Sequence, residues 1–218
     1  MHRKSGGMKM KLQLALDEFK LEDALNVAEQ VKDYVDIIEM GTPFMLHYGM
    51  ECIKRFTEAF PDKEILCDAK IMDGGKYESD MAFDEGAAYV TVLGVTDNAT
   101  IQGAMESANA HGKKAVVDMI CVKDMPARIQ ECEKMGAHVL AVHVGTDAQA
   151  LGRTPLDDLK TMKENAKNVE IAVAGGITSK TIDRYVALKP DIIICGGAIA
   201  HSDDPIKEAK AIKEAMNR

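Results

Sequence analysis

The sequence predicts an α/β protein, a single-domain (β/α)8 or TIM barrel, because eight short apolar runs alternate with amphipathic segments of helical length. Two further observations support this fold. Glycines stand where helices should end and strands begin, and no linker or change in composition interrupts the repeat. A chain of 218 residues is also long enough for eight strand–helix units.

The predicted strands are short runs of β-branched and other apolar residues. In chain order they are KLQLALD, YVDIIEMG, EILCDAKI, YVTVLGV, KAVVDMIC, HVLAVHV, EIAVAGGI and DIIICGGAI. Helical spacing marks the segments between them, among them LEDALNVAEQVKD, NATIQGAMESANAHG and MPARIQECEKMG. Glycine separates helix from strand in DEGAAYVTV and EKMGAHVLAV, while TDNAT and ITSKT offer side chains that start helices. Helical crossovers imply parallel strands.

A doubly wound sheet built from the same units is the alternative architecture. Residues 11–218 are predicted to form the barrel, which is the catalytic domain. Residues 1–10 are expected to be an N-terminal extension or a cloning remnant, with Met8 and Met10 as candidate native starts.

Composition and charge narrow the possible partners. The chain carries a net charge of −8 and no Trp, so it offers neither a basic patch nor a stacking platform, and we expect no nucleic-acid or membrane partner. Its apolar runs of about 4–8 residues are too short to span a bilayer. Five scattered cysteines without a C-x-x-C pair, and an opening MHRKSGG without an apolar signal segment, indicate reduced thiols in the cytoplasm.

Polar side chains stand at the carboxyl ends of the predicted strands, where barrel enzymes carry their active sites. Strand alternation places Asp68 and Lys70 on one face, toward the barrel mouth, with Ile71 on the helix-facing side. Taken singly, an acid at a strand end is more often a loop cap or a surface charge than a catalyst, and a single His or Lys there is often structural or solvated. Several buried charges at one barrel end, however, require a compensating ion or ligand. These candidates are Asp17, Glu39, Asp68, Lys70, Asp118 and His143.

Glycine pairs end the seventh and eighth runs, in AVAGGI and IICGGAI. Such pairs let backbone N–H groups approach an anion, and the loops after these two strands are the usual phosphate site of the barrel. Two ordinary tight turns would give the same pattern. Because pairs occur at both positions, we expect a phosphorylated substrate, bound by Ala174, Gly175, Gly176, Gly196 and Gly197.

From about Lys11 onward the chain resembles the orotidine-monophosphate-decarboxylase suprafamily. The family signature D-x-K-x-x-D matches Asp68, Lys70 and Asp73. The stretches LQLALD, IIEMGTP, DAKIMDGG, VTVLG, HVGTDAQALG and AVAGGI are similar to the branch that contains 3-hexulose-6-phosphate synthases and 3-keto-L-gulonate-6-phosphate decarboxylases. Glu39 supplies a metal-binding acid that the nucleotide decarboxylases of the suprafamily lack.

Four positions depart from the decarboxylase pattern within that branch. The pattern has Glu on the fifth strand, Arg three residues after the sixth-strand His, Thr before the seventh-strand glycine pair, and Arg in the second glycine position after strand eight. This chain has Asp118, Thr146, Ala174 and Gly197 there, which favours the synthase. It also leaves no obvious arginine to protonate a decarboxylation product. The decarboxylase and a non-catalytic phosphosugar-binding barrel remain alternatives.

The resemblance implies a Mg²⁺-dependent, reversible aldol condensation of formaldehyde with D-ribulose 5-phosphate through an enediolate, in the manner of a carbon–carbon lyase. Mg²⁺ would be bound by Glu39 and Asp68, since carboxylates plus substrate oxygens and water suit this hard ion. Lys70 would stabilise the developing negative charge.

The resemblance also assigns the proton transfers and the assembly. His143 would act as general base and acid, and Asp118 would orient Lys70 or a substrate hydroxyl. Asp17 would bind hydroxyls and keep Lys70 charged. Asp73 lies beyond its strand, and the resemblance implies that it enters the neighbouring subunit's site in a two-fold homodimer.

Overall fold

Eight parallel strands close into a barrel in the computed structural model, which describes residues 9–218. The strands follow chain order, and β1 pairs with both β2 and β8. The predicted (β/α)8 barrel is therefore confirmed, and the doubly wound alternative is wrong. The predicted N-terminal extension, apart from residues 9 and 10, lies outside the described residues. The strands are β1 Lys11–Leu16, β2 Ile37–Met40, β3 Glu64–Ile71, β4 Tyr89–Leu93, β5 Lys114–Asp118, β6 Val139–His143, β7 Glu170–Ala174 and β8 Ile192–Cys195.

Helices connect successive strands; two connections, β2–β3 and β6–β7, contain a second helix, and two helices follow β8. The helices are α1 Leu21–Val31, α2 Thr42–Tyr48, α3 Glu51–Ala59, α4 Gly75–Asp84, α5 Asn98–His111, α6 Met125–Lys134, α7 Thr146–Ala150, α8 Leu156–Asn165, α9 Ile182–Val186, α10 Gly197–Ala200 and α11 Pro205–Met216. Short helices α2, α7 and α10 begin directly after β2, β6 and β8. They bring additional backbone to the carboxyl end of the barrel.

Two apolar layers account for the folding of the strands. Outward-facing strand residues pack with the helices into the larger core. A smaller cluster fills the barrel itself, as alternation along each strand requires. Its buried members are Ile37, Leu66, Tyr89, Val116, Val139, Ala141, Ala172 and Ile192.

Tyr89 closes the amino end of the barrel. Its hydroxyl accepts a hydrogen bond from Nζ of Lys11 at 3.1 Å and donates one to Glu64 at 3.2 Å. Lys11 and Glu64 also pair directly at 2.5 Å. The amino end is thus filled by side chains, which leaves the carboxyl end as the open mouth.

Strand β3 is irregular at the positions of its charged residues Asp68 and Lys70. The pairing of β3 with β4 shifts register between Cys67 and Ile71, and Lys70 has a positive φ of 47°. The backbone N–H of Lys70 donates to Oγ1 of Thr91 at 2.8 Å instead of continuing the ladder. Ile71 is buried against the helices, as predicted, and so is Cys67, but the predicted regular alternation does not include this bulge.

Within residues 9–218 no helix is long and apolar enough to cross a membrane. All five cysteines carry free thiols, and Cys121 is the exposed one. Burial raises the pKa of the Cys52 thiol to about 11 and that of Cys132 to about 11. These buried thiols are therefore protonated and unreactive at neutral pH.

Candidate active site

A cavity of about 1210 Å³ opens at the carboxyl ends of the strands. It brings together all but one of the residues that the sequence pointed to. Those lining it are Asp17, Glu39, Asp68, Lys70, Asp118, His143, Ala174, Gly175, Gly176, Gly196 and Gly197. Asp73 does not line it.

Asp68 and Lys70 form an ion pair at the centre of the cavity floor. Asp68 is only 5% exposed, and its carboxylate also accepts hydrogen bonds from Thr91 at 2.7 Å and Thr42 at 2.9 Å. Burial alone would raise the pKa of Asp68, but the charge of Lys70 and these hydrogen bonds outweigh burial and lower it. Asp68 is therefore a carboxylate across the neutral range.

Lys70 is held in its charged form by the same pair. Burial lowers its pKa, but the charge and hydrogen bond of Asp68 outweigh burial, and the pKa rises above its ordinary value. Nζ of Lys70 also donates to Oγ1 of Thr42 at 3.0 Å. A fixed, partly buried ammonium therefore faces the cavity, where it could stabilise an oxyanion.

Glu39 lies beside this pair and is 8% exposed. One of its oxygens accepts a hydrogen bond of 2.5 Å from the side chain of Gln13, which lies on β1. Burial and the nearby charge of Asp68 raise the pKa of Glu39 well above its ordinary value. Gln13 was not predicted as a site residue, although a polar residue inside the apolar run KLQLALD is a signal that could have revealed it.

Asp17 lies at the rim, just beyond β1, against a bend that only glycine fits. A Cβ at Gly41 would lie 2.1 Å from Oδ1 of Asp17. Oδ2 of Asp17 is 3.7 Å from the position of a Cβ at Gly196. Burial and the charge of Asp68 raise the pKa of Asp17. Asp17 thus lies between the charged floor and the glycines after β8.

His143 and Asp118 form the other polar pair of the cavity. Nδ1 of His143 is 2.8 Å from Oδ2 of Asp118, whose Oδ1 accepts the backbone N–H of Ile120 at 2.9 Å. The direct side-chain partner of Asp118 is therefore His143, and Lys70 is influenced only by its charge, so the prediction that Asp118 orients Lys70 is corrected. That Asp118 orients a substrate hydroxyl stays a prediction. Burial lowers the pKa of His143, but the hydrogen bond and charge of Asp118 outweigh it, so the pKa is raised.

The glycines after β7 adopt conformations that other residues avoid. Gly175 has a φ of 132° and Gly176 a φ of 67°. A Cβ at Gly175 would lie 3.0 Å from the carbonyl oxygen of Val144, and one at Gly176 would lie 3.0 Å from Oε1 of Gln149. The chain therefore needs glycine at both positions to pass close to the loop after β6.

The cavity also contains an arginine that the sequence did not single out. Arg153 follows α7 and lines the cavity. Arg153 directly follows the stretch HVGTDAQALG, so its place next to that stretch is a signal that could have revealed it.

Asp73 is exposed in the loop between β3 and α4. Its Oδ1 accepts the backbone N–H of Gly74 at 2.7 Å, and the side chain makes no ion pair with any residue in 9–218. The structure thus places it outside its own cavity. That it enters a neighbouring subunit's site remains a prediction.

Glu39 and Asp68 are the residues that could hold a divalent ion. Across the described chain no three His, Cys, Asp or Glu side chains are grouped as a ready-made metal site. The two buried carboxylates nevertheless suit a hard cation, because burial and the charge of Asp68 raise the pKa of Glu39 and a cation would compensate both charges. Substrate and water would complete its coordination. The residues present therefore fit Mg²⁺.

A closed barrel with an acid–lysine–histidine cluster at the carboxyl ends of its strands defines a TIM-barrel enzyme. The chain belongs to the orotidine 5'-phosphate decarboxylase / HUMPS family, whose model matches residues 10–212. The family resemblance read from the sequence is thereby confirmed.

Named relatives refine the comparison. The 3-hexulose-6-phosphate synthase of Staphylococcus haemolyticus is 45% identical over 95% of this chain and 99% of its own. The solved structure of 3-hexulose-6-phosphate synthase from Salmonella typhimurium is 54% identical over 95% and 99% of the two chains, with a TM-score of 0.94. The solved 3-keto-L-gulonate-6-phosphate decarboxylase from Vibrio cholerae is 28% identical over 96% and 98%, with a TM-score of 0.84.

Proposed function

We propose that this chain catalyses the reversible aldol condensation of formaldehyde with D-ribulose 5-phosphate, giving 3-hexulose 6-phosphate. The observation that carries the proposal is the 54% identity to a synthase, against 28% to a decarboxylase, both over nearly the whole chain. The charged cavity supports it, because the reaction needs a base for a carbon acid and a cation for the resulting oxyanion.

The reaction balances without an external oxidant or reductant. A proton leaves C1 of the ketopentose phosphate, and the electron pair forms an enediolate. C1 then forms a bond to the formaldehyde carbon, and the formaldehyde oxygen takes up a proton as it becomes a hydroxyl. The reverse reaction breaks the same bond, so one set of residues serves both directions.

Lys70 and Asp68 supply the fixed charges for the enediolate. Because Asp68 keeps Lys70 protonated, the ammonium is present before charge develops on the substrate oxygen. A preorganised cation of this kind lowers the barrier more than a mobile one, since it does not have to reorient. The hydrogen bonds from Thr42 and Thr91 hold the pair in position.

His143 is the proposed general base and acid. Its Nδ1 is engaged with Asp118, so Nδ1–H donates to the carboxylate and Nε2 remains to exchange a proton with substrate. The raised pKa makes the neutral imidazole a stronger base than a free histidine. Asp118 thus orients the base and stabilises its protonated form.

Mg²⁺ is the proposed cofactor, with Glu39 and Asp68 as its protein ligands. When bound, the ion would supply Lewis-acid stabilisation to oxygens of the substrate. Gln13 would fix the carboxylate of Glu39 for that task, since it donates to one oxygen and leaves the other available.

The substrate phosphate is proposed to bind at the backbone of Gly175, Gly176, Gly196 and Gly197. The positive φ values of the first pair and the close approaches that exclude a Cβ there support a backbone-lined anion site. Ala174 lies at the end of β7 next to this backbone. The sugar would then extend from the glycines past Asp17, whose carboxylate can accept its hydroxyls.

We further propose a two-fold homodimer in which Asp73 completes the neighbouring cavity. Its exposure, its place outside its own cavity and its lack of an ion pair with any described residue support this role.

The free thiols of the chain support a reducing compartment, and the cytoplasm is the compartment that we propose.

A side-by-side assay tests the proposed function. Purified protein with Mg²⁺ is given ribulose 5-phosphate plus formaldehyde in one vessel and 3-keto-L-gulonate 6-phosphate in another. Loss of formaldehyde with formation of a hexulose phosphate is the expected result. Release of carbon dioxide from the second substrate without formaldehyde consumption would make the chain a decarboxylase, and turnover of neither would make it a binding barrel.

A further inference from the structure

The loop that carries Asp73 is held by its own chain on both sides. On one side, Oγ1 of Thr96 donates to the carbonyl oxygen of Met72 at 2.6 Å. On the other side, the loop enters α4 at Gly75, where a Cβ would lie 1.9 Å from the carbonyl oxygen of Thr100 on α5. The backbone next to Asp73 is therefore fixed, although its side chain is exposed.

Thr96 is itself held by an arginine from α6. Nη2 of Arg128 donates to the carbonyl oxygen of Thr96 at 2.6 Å, and Nε donates to that of Gly94 at 2.6 Å. The Arg128 side chain is 13% exposed and Thr96 is 7% exposed. The planar guanidinium binds both carbonyls at once, which a lysine or glutamine could not reproduce.

These contacts form one chain of hydrogen bonds from α6 to the residue before Asp73. Arg128 fixes the segment between β4 and α5, and Thr96 in that segment fixes Met72. None of the three lines the cavity of its own subunit. Gly94 also donates its N–H to the carbonyl oxygen of Asp118 at 2.7 Å, so Arg128 has an indirect contact with its own cavity. The hydroxyl of Thr96, in contrast, is bound to Met72, the residue before Asp73.

We propose that Arg128 and Thr96 are positioning residues for Asp73, and that through Asp73 they act on catalysis in the neighbouring subunit's cavity. This inference rests on the proposed dimer and its shared sites. Its physical reason is that a charged group displaced by about 1 Å from its working position can cost about 100-fold in rate. Arg128 and Thr96 would prevent such a displacement.

Hybrid dimers of differently tagged subunits test the direction of this effect. The reference hybrid joins a Lys70→Ala subunit to an Asp73→Ala subunit, so that one site keeps both native residues and about half the native activity per dimer is expected. Arg128→Gln is then added either to the Lys70→Ala subunit, which supplies Asp73 to the intact site, or to the Asp73→Ala subunit, which supplies Lys70.

The two resulting hybrids contain the same substitutions, so any general loss of folding affects them equally. With Arg128→Gln on the subunit that supplies Asp73, activity should fall about tenfold below the reference hybrid. With Arg128→Gln on the subunit that supplies Lys70, activity should fall much less, because Arg128 is connected to Asp118 of that site only through the backbone of Gly94. Thr96→Val, which keeps the shape and removes the hydroxyl, should give the same asymmetry.

Equal activity of the two hybrids, or a greater loss when Arg128→Gln accompanies Lys70, would overturn the positioning role while leaving the shared site intact. An inactive reference hybrid in a verified heterodimer would mean that Asp73 does not act across the interface. That result would overturn this proposal together with the shared-site part of the proposed function, whereas the condensation activity itself is judged by the wild-type assay.

Discussion

Nδ1 of His143 lies 2.8 Å from Oδ2 of Asp118, and the two side chains come from the ends of the neighbouring strands β6 and β5. The pair is largely buried, with Asp118 only 3% exposed. One carboxylate oxygen is fixed by the backbone of Ile120, so the other presents a defined acceptor to the imidazole. Because of this geometry, the proton affinity of His143 depends on the charge and position of Asp118.

The pH dependence of kcat/KM should reflect the pKa of His143 as it is set by Asp118. Since Asp118 raises the pKa of His143 above its ordinary value of about 6.5, and the base must be neutral, activity should rise with pH along an acid limb displaced upward. Asp118→Asn removes the charge and should move the limb to lower pH while lowering the plateau. Asp62→Asn, at an exposed position, is the control. An unmoved limb in Asp118→Asn would show that His143 does not set it.

Lys70→Ala should reduce kcat by roughly 100- to 1,000-fold, because it removes the cation that faces developing negative charge. Binding of the phosphosugar should weaken much less, since the glycine backbone is unchanged. Steady-state kinetics and circular dichroism measure the two effects. Lys160→Ala, which removes a half-exposed lysine paired with Asp157, serves as the control and should leave kcat unchanged. Near-normal turnover of Lys70→Ala would remove this residue from the mechanism.

Gly176→Ala and Gly112→Ala form a matched pair of substitutions. The two glycines have nearly the same φ, 67° and 65°, but an added Cβ meets Gln149 at Gly176 and no described atom within 4 Å at Gly112. Both variants should lose about 1 kcal/mol of unfolding free energy. Only Gly176→Ala should raise KM for the phosphosugar, by about tenfold. An equal KM in the two variants would argue against phosphate binding at the β7 glycines.

Mg²⁺ binding should release protons. Burial and the charge of Asp68 raise the pKa of Glu39, and a divalent ion held by Glu39 and Asp68 would favour the ionised form. Calorimetry in buffers of different ionisation enthalpy measures the number of protons. We expect a smaller release and weaker binding for Glu39→Gln, with the exposed Glu29→Gln as control. Unchanged Mg²⁺ affinity in Glu39→Gln would place the ion elsewhere.

The position of the site could be predicted because strand ends are visible in a sequence. Polar residues that close apolar runs, such as Asp17 and His143, must meet at one end of a parallel barrel. The partnership of His143 with Asp118 could not be predicted, because it depends on the register between β5 and β6, in which Asp118 lies opposite Ala141. That register is set by the stagger of the closed barrel, which no local pattern encodes.

The bulge in β3 is a second feature that the sequence concealed. Lysine is not a residue that favours positive φ, so nothing in the run EILCDAKI signals the left-handed conformation of Lys70. The conformation depends on Thr91 of the neighbouring strand, which accepts the Lys70 N–H and donates to Asp68. Gln13 differs from the His143–Asp118 pair and from the bulge in β3, because a polar residue within an apolar run can be recognised in the sequence.

Hydrogen exchange at C1 of ribulose 5-phosphate tests the central claim most directly. The protein with Mg²⁺ is incubated in D₂O with the sugar phosphate and without formaldehyde, and the C1 protons are followed by NMR. If this cavity forms an enediolate, wild-type protein will incorporate deuterium at C1, while Lys70→Ala and His143→Ala will do so far more slowly. Retention of both C1 protons by a wild-type protein that binds the sugar, or equal exchange in all three proteins, would contradict the account.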